Sequence, residues 1–181
     1  MEHILKTITL APDTNLVISR PSVDDAAAII EFLNMVGGET DFLTFGLNGF
    51  PLSLAEEQQT IVESLEFNIC LMLVGRVNGE IASQLFLQRS KDVPLTSIGD
   101  IGISVSKKYW GLSIGRHMIM TAIEWAKTNN LTKLQLQVSS NNERAIGLYK
   151  KLGFIIENTV TQDIMKINDT PCDDYIMGLE L

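Results

Sequence analysis

The chain predicts a mixed α/β fold, in which a central, mostly antiparallel sheet of six to seven strands carries helices on both faces. Three observations carry this expectation. Asn78-Gly79 separates two apolar runs, the strongest short signal for a β-hairpin. Ser22, Ser53 and Ser140 each stand three residues before an acidic residue and ahead of apolar residues at helical spacing. Residues 98–152 then alternate between strand and helix patterns, so hairpins are followed by crossover connections.

The 181 residues suit a single domain spanning 1–181, large enough to bury a substantial core. Hydrophobic residues make up 45% and charged residues 20%, as expected of a globular protein. No apolar run is long enough for a membrane span, and MEHILKTITLAPDT has neither the basic start nor the apolar stretch of a secretion signal. Cys70 and Cys172 cannot make a disulfide framework, which points to a reducing cytoplasm. A net charge of −8 argues against a nucleic-acid partner, because neutralising phosphates requires clustered Lys and Arg. It is compatible with a cationic substrate and equally with simple solubility.

Residues 16–20 read as a first strand ended by Pro21. Ser22 and Asp25 start a helix in which Ala26, Ile29, Ile30 and Leu33 share a face, and Gly37-Gly38 stops it. Residues 34–52 are irregular, broken by Gly46, Gly49 and Pro51. Ser53 and Glu56 open a second helix. Strands follow at 69–77, 80–88 and 98–105. The helix expected at 111–127 has a broad apolar face from Gly115 through Met118, Ala122 and Ala126. Leu134, Leu136 and Val138 alternate with glutamines in a strand at 133–138. A helix at 142–152, capped by Ser140 with Glu143, and strands at 154–161 and 174–179 complete the order β-α-α-β-β-β-α-β-α-β-β. The strand-rich tail is a candidate for pairing across a homodimer.

Two segments carry chemistry. Gly111-Leu112-Ser113-Ile114-Gly115 lies between a strand and a helix. A helix start offers about four unpaired N–H groups and roughly half a positive charge to an anion. Small residues allow close approach, and Arg116 could add a charged contact. Taken alone, the segment fits a tight packing turn as well as an anion site. It is neither a P-loop nor a dinucleotide fingerprint. In the second segment, Ala145, Leu148, Tyr149 and Leu152 form one stripe, which by itself suits a core tyrosine.

Together the segments resemble the GNAT superfamily of acetyl-CoA-dependent N-acetyltransferases. The pattern N-x-x-A-x-x-x-Y-x-x-x-G-F is matched by Asn142, Ala145, Tyr149, Gly153 and Phe154. In the R/Q-x-x-G-x-G/A frame, Trp110 replaces the usual Arg or Gln, Ser113 replaces the first glycine, and Gly111 and Gly115 are as expected. The resemblance implies that Trp110, Gly111, Leu112, Ser113, Gly115 and Arg116 hold the pyrophosphate of acetyl-CoA. Strands 98–105 and 133–138 would splay apart, with main-chain groups of Ile103 and Val105 pairing with the pantetheine arm and Asn142 touching it from the other side. Tyr149 would protonate the departing thiolate. Asp100, where related enzymes often carry a carboxylate, becomes the first candidate for the base that deprotonates the amine.

Glu39 and Asp41 are loop carboxylates that could hold a cationic acceptor, with Phe42, Phe45 and Phe50 as pocket walls. Cys70 sits in a buried strand pattern and Cys172 beside two aspartates, so neither reads as an activated nucleophile. His3 and His117 are too few for a metal site, and a metal-independent reaction is expected. The expected function is acetyl transfer to a primary amine, most simply a small cationic one. A protein N-terminus as acceptor, or an acyl-CoA-binding module without turnover, are the alternatives.

Overall fold

The computed structural model describes residues 3–66, 70–89, 97–161 and 172–181. Among them the strands are β1 (His3–Ala11), β2 (Thr14–Arg20), β3 (Cys70–Val77), β4 (Glu80–Arg89), β5 (Ile98–Val105), β6 (Lys133–Ser139), β7 (Ile155–Val160) and β8 (Asp174–Glu180). The helices are α1 (Ala26–Gly37), α2 (Leu54–Glu66), α3 (Ile114–Thr128) and α4 (Glu143–Lys151). All eight strands join one sheet in the order β1-β2-β3-β4-β5-β6-β8-β7. Neighbours pair antiparallel except β5 with β6, which run parallel.

Both faces of the sheet are covered, and β3 shows how. Leu71 and Leu73 enter the core that includes Met118, Ala122 and Tyr149, while Met72 and Val74 enter the one that includes Ile29, Phe32 and Ile61. Successive side chains point to opposite faces, so a strand buried on both sides reads as an unbroken apolar run. Helices α3 and α4 therefore lie on one face, and α1 and α2 on the other.

The expected class and element order are observed, with one added strand. β1 is a sheet edge whose residues alternate between exposed and half-buried, joined to β2 through a turn with Asp13 at φ 59°. Its alternation of Ile8 and Leu10 with Thr7 and Thr9 was there to be read, followed by a Pro-Asp turn. The α1 segment opens with a short 3₁₀ turn (Val23–Asp25), where the Ser22 N–H donates to the Asp25 carboxylate at 2.7 Å. At α2 the expected capping box forms in full between Ser53 and Glu56. At α4 it does not: Asn142 is the cap, its Oδ1 accepting from the Ala145 N–H at 3.2 Å, while the Ser140 hydroxyl lies 3.2 Å from Cys172 Sγ. Helix α3 begins at Ile114, three residues later than the glycine turn suggested.

Candidate active site

The parallel ladder between β5 and β6 is short. It joins Ile98, Gly99 and Asp100 to Lys133, Leu134 and Gln135 and then stops, although both strands continue. Beyond Asp100 the strands fork. Ser106 N–H donates to Ala82 O at 3.0 Å, on the β4 side. Because main-chain groups alternate sides along a strand, those of Ser104 and Gly102 also face β4, and those of Ile103 and Val105 face the fork. The Val105 carbonyl is already used, accepting from the Trp110 indole N–H at 2.8 Å. Both groups of Ile103 and the Val105 N–H remain directed at the opening.

On the α3/α4 face the fork meets the start of α3. Ser113, the N-cap, is in the left-handed region at φ 59°, which is the conformation a glycine adopts freely; in a serine it costs about 1–2 kcal/mol. Its side chain makes no capping bond. The N–H groups of the first turn are therefore unclaimed by a cap, unlike those of α2 and α4. Gly111, at φ +86°, has open space where a side chain would project. Gly115 is needed for a different reason. A Cβ there would sit 3.1 Å from Leu148 Cδ2 and 3.8 Å from Val105 Cγ2, so its hydrogen lets α3 settle against α4 and β5. Through that contact the two sequence segments are brought together. Leu112 packs beneath the turn, and Arg116 is exposed.

Trp110 connects the segments a second time, since the Arg144 guanidinium lies 3.9 Å from its ring centroid. Arg144 escaped the sequence reading, because a guanidinium stacked on an indole joins residues far apart in the chain. At the other end of α4, Phe154 N–H donates to Tyr149 O and Gly153 N–H to Lys150 O, with Gly153 at φ +96°. This is a Schellman closure, with its accompanying apolar contact between Phe154 and Tyr149, ring centroids 5.8 Å apart. The Gly-Phe of the motif thus seats the tyrosine. Tyr149 is 9% exposed, its hydroxyl has no hydrogen-bond partner among the described residues, and burial pushes its pKa up to about 12.

On the α1/α2 face the fork opens into a cavity of about 380 Å³. Strand register explains its lining. Gln88, Asp100 and Gln135 are directly opposite one another across β4, β5 and β6, and residues so paired project to the same face. Phe86 and Gly102 make the next row, and Gln137 completes the wall. Nothing lies within 4 Å of where a Gly102 side chain would start. Gln137 donates Nε2 to Asp174 at 2.8 Å, and the buried Asp174 also accepts from the Ser139 hydroxyl at 3.1 Å. The three glutamines were missed as site residues. In sequence they are only the polar half of strand alternations, and register alone assembles them.

Of the loop residues, Glu39 is engaged locally: its carboxylate accepts from the Lys107 N–H at 2.7 Å and the Ser106 hydroxyl at 3.3 Å, fastening the end of α1 to the end of β5. Asp41 and Phe42 are exposed, whereas Phe45 and Phe50 pack edge to face at 5.4 Å. Asp100 lies in the cavity wall on the face opposite Tyr149.

Comparison with known proteins assigns the class. The model of the Acetyltransferase (GNAT) family matches residues 45–154. A GNAT-family acetyltransferase from Streptococcus pneumoniae has the same fold with a TM-score of 0.85 and 31% identity, over 92% of this chain and 99% of that one. The structure of yncA from Salmonella typhimurium, solved with acetyl-CoA, superposes with a TM-score of 0.80 at 20% identity, over 92% and 94% of the two chains. Curated relatives match over shorter stretches. An uncharacterized protein of Methanocaldococcus jannaschii is 36% identical over 56 residues, and the uncharacterized N-acetyltransferase YobR of Bacillus subtilis 38% over 52. These stretches are about 30% of this chain, and 12% and 21% of those proteins' lengths. The chain belongs to the GNAT family of acetyltransferases. Its class is therefore that of acetyl-CoA-dependent N-acetyltransferases.

Proposed function

We propose that this protein transfers an acetyl group from acetyl-CoA to a small cationic primary amine, which approaches from the α1/α2 face of the fork. The observation that carries this reading is the fork itself, with a buried tyrosine on one face and an aspartate-lined cavity on the other.

The residues of the α3/α4 face fit the cofactor. Uncapped N–H groups at the start of α3 suit a pyrophosphate, with Trp110, Gly111, Leu112, Ser113 and Gly115 shaping the turn. Arg116 and Arg144 are the cations at hand, Arg144 held flat by Trp110. Main-chain groups of Ile103 and the Val105 N–H suit the amides of a pantetheine arm, as an added strand would. Asn142 uses one lone pair of its Oδ1 on the helix cap and keeps its NH₂ for the arm. Acetyl-CoA supplies the acetyl group as a thioester, open to direct attack by an amine.

Tyr149 holds its proton at every working pH, because burial raises its pKa to about 12. Handing that proton to the anion of a thiol with pKa near 8.5 would be uphill by about 5 kcal/mol if the thiolate stayed in water while the phenol is buried. A dry wall raises the thiolate's proton affinity as well, so the phenol is matched to a leaving group desolvated alongside it. Asp100 addresses the opposite problem. An alkylammonium of pKa about 10.4 gives up its proton at pH 7 at a cost of roughly 4–5 kcal/mol, and a carboxylate in the cavity wall, directly or through water, can accept it.

Asp41 and Phe42, exposed in the loop after α1, are further candidate acceptor contacts, and Glu39 contributes by fixing the start of that loop to the end of β5. We place the protein in the cytoplasm, where its two cysteines stay reduced. A homodimer contact is assigned to the tail edge strand β7, where Ile155 is 64% exposed. Thiol release from acetyl-CoA across an amine library tests the activity. Saturable acetyl-CoA binding with no thiol release from any amine would make the protein a binding module instead.

A further inference from the structure

The loop between α1 and α2 is sewn to the end of α1. Asn34 accepts twice from it, through Oδ1 from the Phe50 N–H at 3.0 Å and through its carbonyl from the Asn48 N–H at 3.4 Å. Gly37 lets the two backbones touch, since a Cβ there would collide with the Gly46 carbonyl oxygen. Phe45 and Phe50 rest on the core of the α1/α2 face, as does Phe86, which also lines the cavity. The end of α1 and the loop therefore form one body on the acceptor side.

Glu39 joins this body to the end of β5. The 3₁₀ turn Lys107–Tyr109 follows β5 and leads directly into Trp110, Gly111 and Ser113. Ser106, the residue placed to cap that turn, makes no side-chain bond to it. Its buried hydroxyl donates instead to Glu39 Oε1 at 3.3 Å, and the Lys107 N–H donates to Glu39 Oε2 at 2.7 Å, a charge-assisted bond. A carboxylate from the end of α1 thus does the work of a local cap. Lys107 is exposed, so water can serve its N–H without Glu39. What the carboxylate adds is a fixed placement of the acceptor loop against the cofactor turn.

We propose that Glu39 is a positioning residue that couples the two substrates: acetyl-CoA orders residues 103–115, and through Glu39 it orders the loop at 40–50 that walls the acceptor side. This rests on the edge of β5 and the start of α3 holding acetyl-CoA. A segment ordered by the first guest costs the second no further ordering, so each guest strengthens the other's binding by the same factor. Contact with a cationic amine would need the charge of Glu39, whereas coupling needs only its geometry. Glutamine keeps that geometry, because its Oε1 accepts from the Lys107 N–H and its Nε2 donates to the Ser106 hydroxyl.

The test follows hydrogen exchange of the full chain with and without saturating acetyl-CoA. In wild type, acetyl-CoA is expected to slow exchange at 103–115 and also, about fivefold or more, in the loop that carries the Asn48 and Phe50 amides. Glu39→Ala is expected to keep the first protection and lose the second. It should also raise the KM of the amine turned over fastest in the library about fivefold or more, with a smaller change in kcat. Glu39→Gln is expected to match wild type in both readouts. With 103–115 protected, a loop that acetyl-CoA protects equally in wild type and Glu39→Ala, or in neither, would overturn the coupling. A Glu39→Gln protein as impaired toward the amine as Glu39→Ala would overturn it too, making the carboxylate a charge contact for the acceptor. No protection at 103–115 in wild type would instead remove the cofactor site on which the coupling rests.

Discussion

The two faces of the β5–β6 fork are built by different means. On the α3/α4 face, most features are local in sequence: a left-handed Ser113 before a helix, an uncapped first turn, a Schellman closure that seats Phe154 on Tyr149; the Arg144–Trp110 contact is the exception. On the α1/α2 face, Gln88, Asp100 and Gln135 come from three strands and meet only through register. The contrast teaches that a site for an unvarying guest can be written in short spacings. A site for a particular guest is written in which residues happen to lie opposite one another.

If the faces divide the work, damage to each should appear in different constants. The largest effect is expected from Tyr149→Phe, which should lower kcat about 10²–10⁴-fold with acetyl-CoA affinity unchanged in a calorimetric titration. Unimpaired turnover would mean that the α3/α4 face only binds. Next, Asp100→Asn should cost about 10²-fold in kcat/KM for the amine near neutral pH, regaining part of it as pH rises and more amine is deprotonated free in solution. A parallel loss of acetyl-CoA affinity would blur the division.

Ser113→Val places a β-branched residue at φ 59° and should weaken acetyl-CoA binding about tenfold, or about 1.4 kcal/mol, leaving the amine KM in place. Trp110→Ala removes the platform under Arg144 and should weaken the cofactor by about two- to fivefold, in line with a cation–π contact worth about 0.5–1 kcal/mol. Direct titration separates both from any acceptor effect.

The smallest effect concerns stability behind the acceptor face. Glu57 in α2 is 2% exposed, its Oε1 has no hydrogen-bond partner, and burial pushes its carboxyl above the ordinary 4.5. The folded chain therefore keeps this proton where the unfolded chain has lost it. Stability must fall as pH rises from about 4.5 through the raised folded value. Glu57→Gln should flatten that fall, raising Tm at pH 8 relative to wild type more than at pH 4.5. Identical pH profiles would show that the buried acid carries no such cost.

Legibility in the sequence follows the same division. Asn78-Gly79, the Ser53–Glu56 cap and the Asn142-to-Phe154 spacing gave the hairpin, α2 and α4, because each depends on residues within a few positions of one another. β1 was not read, although its alternation and the Pro-Asp turn that pairs it locally with β2 are in the sequence, because a half-exposed edge strand carries too few buried apolar residues to stand out. The cap of α4 was assigned to Ser140, yet Asn142 offers an equally good acceptor two residues nearer the helix, and Ser140 is drawn to Cys172. Trp110 read as a departure from the family pattern; its indole bond to Val105 and its contact with Arg144 depend on folding. Glu39 read as a substrate carboxylate, and nothing local disclosed that Lys107 and Ser106 would meet it.

The division of the fork is tested most directly by a crystal structure of the protein with acetyl-CoA. The account predicts the pyrophosphate within hydrogen-bond distance of the Ile114 and Gly115 N–H groups, the arm along Ile103, and the sulfur beside the Tyr149 hydroxyl on the α3/α4 face. A pyrophosphate bound away from the start of α3, or a sulfur lying in the Asp100 cavity, would contradict it.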